Sequence, residues 1–73
     1  MLKAGDKVKS SISGCVGVVT KANLPGMRDC VLVQFTNASD GLCLPRHRLE
    51  NLGKVQPDDT MLYGIAKSWG IRV

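Results

Sequence analysis

Aromatic side chains are scarce in this sequence, which has one Phe, one Tyr and one Trp among 73 residues. Proteins that stack the bases of single-stranded nucleic acid, hold proline-rich peptides or cage methylated side chains need several exposed aromatic rings. Phe35 lies in an apolar strand pattern, and Tyr63 and Trp69 lie in the C-terminal segment. The sequence therefore argues against all three kinds of binding site.

Long apolar runs and paired cysteines are also missing. No apolar run approaches the roughly 20 residues of a membrane-spanning helix, and the N-terminus lacks the apolar core of a secretory signal, so we predict a cytoplasmic protein. Cys15, Cys30 and Cys43 are odd in number and form no CxxC pair, which argues against a disulfide framework. We interpret them as small apolar residues in or beside strands.

A zinc site made of the three cysteines and His47 is the metal-binding alternative. Its ligand types suit zinc, but Cys15 and Cys30 are isolated in the sequence, whereas structural zinc sites usually take their ligands from two close pairs. A nucleophile pair of Cys43 and His47 has no evident third group to orient the base. The sequence therefore predicts no metal, no cofactor and no catalytic residue.

Short β-type segments separated by turn residues fill most of the chain. We predict strands over residues 7–12, 16–22, 30–36, 42–44 and 49–55. Gly17, inside the second of these, indicates a bend or a bulge. Pro45 ends the fourth strand because proline has no N–H for a ladder, and the basic triplet 46–48 then predicts a single helical turn.

A helix is predicted near the C-terminus. Asp58, Asp59 and Thr60 are residues typical of a helix start, and Gly70 stands where a glycine cap ends a helix. The apolar stripe of this helix consists of Met61, Leu62, Ile65, Ala66 and Trp69. We therefore divide the chain into a β domain, residues 1–55, and a helical tail, residues 56–73, which packs on that domain or on a partner subunit.

The β domain resembles the SH3-like small barrels, in particular their KOW and Tudor-like members. The similarity rests on Gly5-Asp6-Lys7-Val8, on Gly14-Cys15-Val16-Gly17-Val18-Val19 and on the ending Leu42-Cys43-Leu44-Pro45 to Leu49-Glu50. It covers residues 4–53 and implies a mainly β fold, a five-stranded SH3-like barrel followed by a short α-helix. Barrels of this kind bind RNA, DNA, peptides, ribosomes or modified tails, so the resemblance does not choose the ligand.

A second resemblance tests an enzymatic function. Plasmid-borne type II dihydrofolate reductases are also short chains with a Gly-Asp-x-Val start and a Pro-then-Leu-Glu ending, and they build a tetrameric pore around a Val-Gln-Ile-Tyr strand. The matching segment here is Gly41-Leu42-Cys43-Leu44, which lacks the amide and the phenol that this family uses. We therefore predict a protein that is not an enzyme.

Positive charge is concentrated in the β domain. The formal net charge is +4, and residues 1–54 carry all of it, with eight Lys and Arg against four Asp and Glu. Basic surface supplies the sequence-independent part of nucleic-acid affinity, so we predict RNA, DNA or a ribonucleoprotein surface as partner. The predicted phosphate-binding residues are Lys7, Lys9, Lys21, Arg28, Arg46, His47 and Arg48. A solvated turn at 46–48 is the simpler alternative.

The helical tail predicts a different function. Met and Trp are enriched at protein interfaces, and the predicted interface residues are Met61, Leu62, Ile65 and Trp69. The alternative to a nucleic-acid-binding module is therefore a protein–protein adaptor or a homo-oligomer assembled through this helix.

Overall fold

One β-sheet and one helix form the part of the chain that the computed structural model describes, residues 2–22, 24–26, 29–37 and 41–71. The strands are β1 (Asp6–Ser10), β2 (Val16–Lys21), β3 (Cys30–Phe35), β4 (Leu42–Pro45) and β5 (Leu49–Lys54). A 3₁₀ turn (Arg46–Arg48) joins β4 to β5, and the helix α1 spans Thr60–Ser68. The predicted mainly β fold with one C-terminal helix is confirmed, and each strand ends within two residues of the predicted limits.

The sheet is antiparallel throughout, in the order β4-β3-β2-β1-β5, and it must be strongly curled. In a flat sheet the two edge strands would lie about 19 Å apart, at about 4.8 Å per strand. The short turn between Pro45 and Leu49 reaches about 15 Å at most when fully extended. The sheet itself is not closed, because β4 and β5 do not pair among the described residues. The closed barrel therefore stays a prediction.

Gly17 is required by a close approach between strands. The register between β2 and β3 passes through the pair Gly17–Phe35 without a shift. A Cβ atom at Gly17 would lie 2.6 Å from the carbonyl oxygen of Gln34 and 3.0 Å from the Phe35 Cα. The shift in this ladder falls instead between Val19 and Lys21. Of the predicted bend or bulge at Gly17, the bulge is therefore wrong and the bend stays a prediction. Glycine is needed there because the neighbouring strand leaves no room for a Cβ atom.

Two clusters of buried side chains stabilise the two faces of the sheet. The strand-side cluster consists of Leu2, Val8, Val19, Val31, Val33 and Phe35. The helix-side cluster consists of Val18, Val55, Leu62 and Ala66. Because successive strand residues point to opposite faces, Val18 and Val19 belong to different clusters, although both are 0% exposed. Strand β2 is therefore buried on both faces, and the helix packs on the sheet of its own chain.

The helix ends in the glycine cap that the sequence predicts. Gly70 has a φ of 75°, which places it in the left-handed region. Its N–H donates to the carbonyl oxygen of Lys67 at 3.0 Å, and the N–H of Ile71 donates to that of Ala66 at 2.8 Å. This pair of bonds is the Schellman motif, which satisfies carbonyl groups that the end of a helix leaves without partners.

Candidate functional site

The 3₁₀ turn holds three basic side chains, and the structure separates their roles. The guanidinium of Arg46 is half-buried and donates from Nη2 to the carbonyl oxygen of Ala22 at 2.8 Å and from Nη1 to that of Leu2 at 3.4 Å. Arg46 therefore ties the N-terminal segment and the end of β2 to the turn. His47 and Arg48 are exposed. Only these two are placed as the phosphate-binding prediction requires.

Lys7 is likewise held inside the fold. Its Nζ lies 3.3 Å from Oδ2 of Asp59, directly before the helix, and this is the one ion pair among the described residues. The same carboxylate oxygen accepts the backbone N–H of Gln56 at 3.0 Å. The pKa of Asp59 is lowered first by this backbone hydrogen bond and then by Lys7. Lys7 and Asp59 thus connect β1 to the start of the helix.

Lys9 and Lys21 are exposed and lie on β1 and β2, towards opposite ends of the ladder between these strands. Each is close in sequence to a residue that contacts the turn. Lys9 is two residues before Ser11, whose N–H donates to the carbonyl oxygen of Arg48 at 2.9 Å. Lys21 is one residue before the carbonyl group that accepts from Arg46. We call Lys9, Lys21, His47 and Arg48 the turn cluster. Arg28, also predicted to bind phosphate, lies outside the described residues.

Two acidic residues, Glu50 and Asp29, border the turn, and two others are engaged elsewhere in the fold. Asp29 is exposed, and its carbonyl oxygen accepts the backbone N–H of Arg46 at 2.7 Å. Glu50 lies directly opposite Lys9 in the β1–β5 ladder and is exposed. Asp6 is 8% exposed, and its Oδ2 accepts the backbone N–H of Lys3 at 2.8 Å. Asp59 is held by Lys7. Among the described residues, six Lys and Arg side chains are exposed against three Asp and Glu, so the surface is positive.

A basic cavity that the sequence analysis missed lies at the end of β5. Lys3 and Lys54 line it together with Asp6, and its volume is about 370 Å³. These two lysines are far apart in the sequence and meet because Asp6 pairs with Lys54 across the β1–β5 ladder. A strand register between the first and last strands has no local signal in the sequence, so this cavity could not be found there.

The predicted interface residues of the helix divide between a groove and the core. Met61, Ile65 and Trp69 line a groove of about 590 Å³ together with Gln34 and Phe35 of β3. Met61 is 66% exposed and Trp69 is 44% exposed. Leu62, by contrast, is 7% exposed in the helix-side cluster. It packs on its own sheet and is not accessible to a partner in this conformation.

The three cysteines do not converge on His47. Cys15 accepts a hydrogen bond from Asn37 Nδ2 at 3.2 Å and packs at the margin of the strand-side cluster. Cys30 and Cys43 lie on the opposite face of the sheet, where alternation along β3 and β4 places them. Within the described residues no group of three or more His, Cys, Asp or Glu side chains could hold a metal ion.

Comparison with known proteins finds no similar protein. No protein-family model matches the chain, no curated protein is significantly similar to it, and no solved structure matches its fold. Among the described residues, the helix is too short to cross a membrane.

Proposed function

We propose that this protein is a cytosolic, non-catalytic module that binds nucleic acid through its phosphates, with the turn cluster as the contact surface. The observation that carries the proposal is the exposed positive charge that the fold leaves around the 3₁₀ turn. Arg48 lies in this turn, and Lys9 and Lys21 lie on the two strands whose ends contact it. None of the three forms an ion pair among the described residues. Cations on one surface supply affinity for a polyanion without the need for sequence readout.

Phosphate contact, and not base stacking, is the mode that fits the aromatic side chains. Phe35 is 4% exposed in the strand-side cluster. Tyr63 and Trp69 lie on or directly after the helix and are not part of the turn cluster. Stacked bases contribute about 1–3 kcal/mol each, and this surface offers them no ring. We therefore expect weak sequence preference and a steep dependence on salt.

The test is fluorescence anisotropy with labelled duplex RNA, duplex DNA and single strands between about 50 and 200 mM salt. Three contacting cations predict a slope of log K against log salt of about −2.7 on duplex DNA. Arg48→Ala and Lys9→Ala should each reduce the magnitude of that slope by about 1. Lys67→Ala is the matched control, because Lys67 lies over the Tyr63 ring on the helix.

An affinity that does not change with salt concentration, or no binding at the lowest salt concentration, would refute the proposal. Equal losses in Lys67→Ala and Arg48→Ala would show that overall charge, and not the turn cluster, carries the affinity. A preference among the three nucleic acids would identify the partner, since A-form and B-form helices present their phosphates differently.

The groove beside the helix favours the second candidate, a homo-oligomer or protein adaptor. Met61 and Trp69 expose apolar surface at the rim of this groove, and Trp is a frequent anchor of protein interfaces. Light scattering after size exclusion should then give a mass well above 7.9 kDa that Trp69→Ala abolishes. Ile12→Ala, which removes a side chain 69% exposed elsewhere, should leave that mass unchanged. A monomer under all conditions excludes the homo-oligomer.

A further inference from the structure

Cys30 and Cys43 are diagonal neighbours on one face of the sheet. In the β3–β4 ladder Cys30 lies opposite Pro45, and Leu32 lies opposite Cys43. Val31, between Cys30 and Leu32, belongs to the strand-side cluster, so the two cysteines face the other way. Cys43 is exposed and Cys30 is half-buried, which leaves solvent access to the pair. Two residues 13 positions apart in the sequence thus present their thiols side by side.

The Cys43 thiol interacts electrostatically with the Cys30 side chain. The pKa of Cys43 is raised by loss of solvent around its thiol, then by the negative charge of Cys30 and by a hydrogen bond with Cys30. This interaction agrees with the diagonal placement of the two residues on adjacent strands. Any metal ion that binds a thiol sulfur displaces the proton of that thiol.

We propose that Cys30 and Cys43 form a two-thiolate site for a soft monovalent cation, and that Cu(I) is the ion that it favours. Soft thiolate ligands favour Cu(I), zinc and iron–sulfur clusters among the biological metals. Zinc in structural sites requires four ligands, and no third ligand group lies near these two within the described residues. A cation that accepts two-coordinate, near-linear ligation needs only the pair. This site is independent of the turn cluster and of the proposed nucleic-acid binding.

The separation of the two positions suits a bridging ion better than a disulfide. Diagonal residues on antiparallel strands are about 7–8 Å apart, whereas disulfides join Cα atoms about 4.4–6.8 Å apart. Two metal–sulfur bonds of about 2.3 Å span more than twice the length of one sulfur–sulfur bond of about 2.05 Å. The cation therefore bridges the thiols with little movement of β3 and β4.

Binding is a proton exchange without oxidation or reduction. Two thiols and one Cu(I) give a bis-thiolate complex of charge −1 and two released protons. Because the protons leave, affinity rises with pH, by up to about 100-fold per pH unit while both thiols are protonated. The net charge of +4 on the chain offsets the negative complex.

The experiment is an anaerobic Cu(I) competition against a chromophoric chelator at several pH values. We expect one Cu(I) per chain, affinity that rises with pH, and losses of at least about 10–100-fold in Cys30→Ser and in Cys43→Ser. Cys15→Ser is the matched control and should bind as the wild type does, since Cys15 lies on the other face. Circular dichroism of each variant verifies the fold.

Either of two results overturns the proposal. An affinity that does not change with pH shows that the wild-type protein does not exchange thiol protons for the cation. A loss in Cys15→Ser equal to that in Cys43→Ser shows that the thiols bind Cu(I) individually and not as a pair. Binding of nucleic acid by Cys43→Ser should be unchanged, so the two proposals fail separately.

Discussion

The two faces of the sheet are stabilised in different ways. On the strand side, six buried residues come from β1, β2, β3 and the N-terminal segment, and Leu44 of β4 and Leu49 of β5 pack against them. On the helix side, four buried residues depend on a single helix from Thr60 to Ser68. The strand-side cluster therefore requires the whole sheet, whereas the helix-side cluster is disrupted when the helix alone detaches from the sheet. We expect the helix to open locally at a lower free energy than the sheet.

The same substitution in the two regions should change stability in opposite directions. Gly17→Ala places a methyl group 2.6 Å from the Gln34 carbonyl oxygen, and the sheet must deform to admit it. We expect a loss of about 3 kcal/mol, a large part of the total of about 4–11 kcal/mol for a chain of this length. Urea denaturation of the purified protein measures it.

Gly64→Ala on the helix is the matched control for this substitution. No atom lies within 4 Å of a Cβ built at Gly64. Alanine favours the helix over glycine by about 1 kcal/mol, so this variant should be more stable than the wild type. Equal and small effects of the two variants would contradict the close approach at Gly17.

Leu62→Ala tests whether the helix-side cluster can unfold while the strand-side cluster stays folded. Truncation of this buried side chain should cost about 2–3 kcal/mol. Because the strand-side cluster does not contain Leu62, hydrogen exchange should accelerate in the helix more than in β2 and β3. Met61→Ala, next in sequence but 66% exposed, should change stability by less than about 0.5 kcal/mol. Uniform acceleration over all amides would show that the two faces unfold together.

The sequence predicted secondary-structure elements better than it predicted the contacts of individual side chains. Strand limits, the 3₁₀ turn and the cap at Gly70 follow from alternation, from Pro45 and from glycine, all of which are local signals. Lys7 and Arg46 were predicted to meet phosphate, but their side chains bind Asp59 and the Ala22 carbonyl group. Those partners are 52 and 24 residues away in the sequence, and only the folded register brings them together.

Gly70→Ala should have a smaller effect, confined to the end of the helix. A residue with a Cβ pays about 1–2 kcal/mol to adopt the left-handed conformation that Gly70 has. The loss should appear in thermal unfolding and as faster exchange at Ile71, whose N–H bonds the Ala66 carbonyl group. Gly70→Asn should recover part of the loss, because asparagine tolerates this conformation. Equal losses in both variants would indicate a role for Gly70 other than its backbone angle.

The smallest change in stability should come from substitution of Asp59, which connects the helix to the sheet through its ion pair with Lys7. Its pKa is lowered in the folded state by the Gln56 N–H and then by Lys7. The carboxylate therefore contributes stability above its ordinary pKa of about 3.9, and that contribution is lost as pH falls through the lowered value. The melting temperature of Asp59→Asn should lie slightly below that of the wild type at neutral pH and converge with it in acid. Asp58→Asn, at an exposed neighbouring position, should follow the wild type at every pH. If the difference in melting temperature between Asp59→Asn and the wild type persists in strong acid, this side chain acts through packing. The helix would then be held to the sheet without the ion pair.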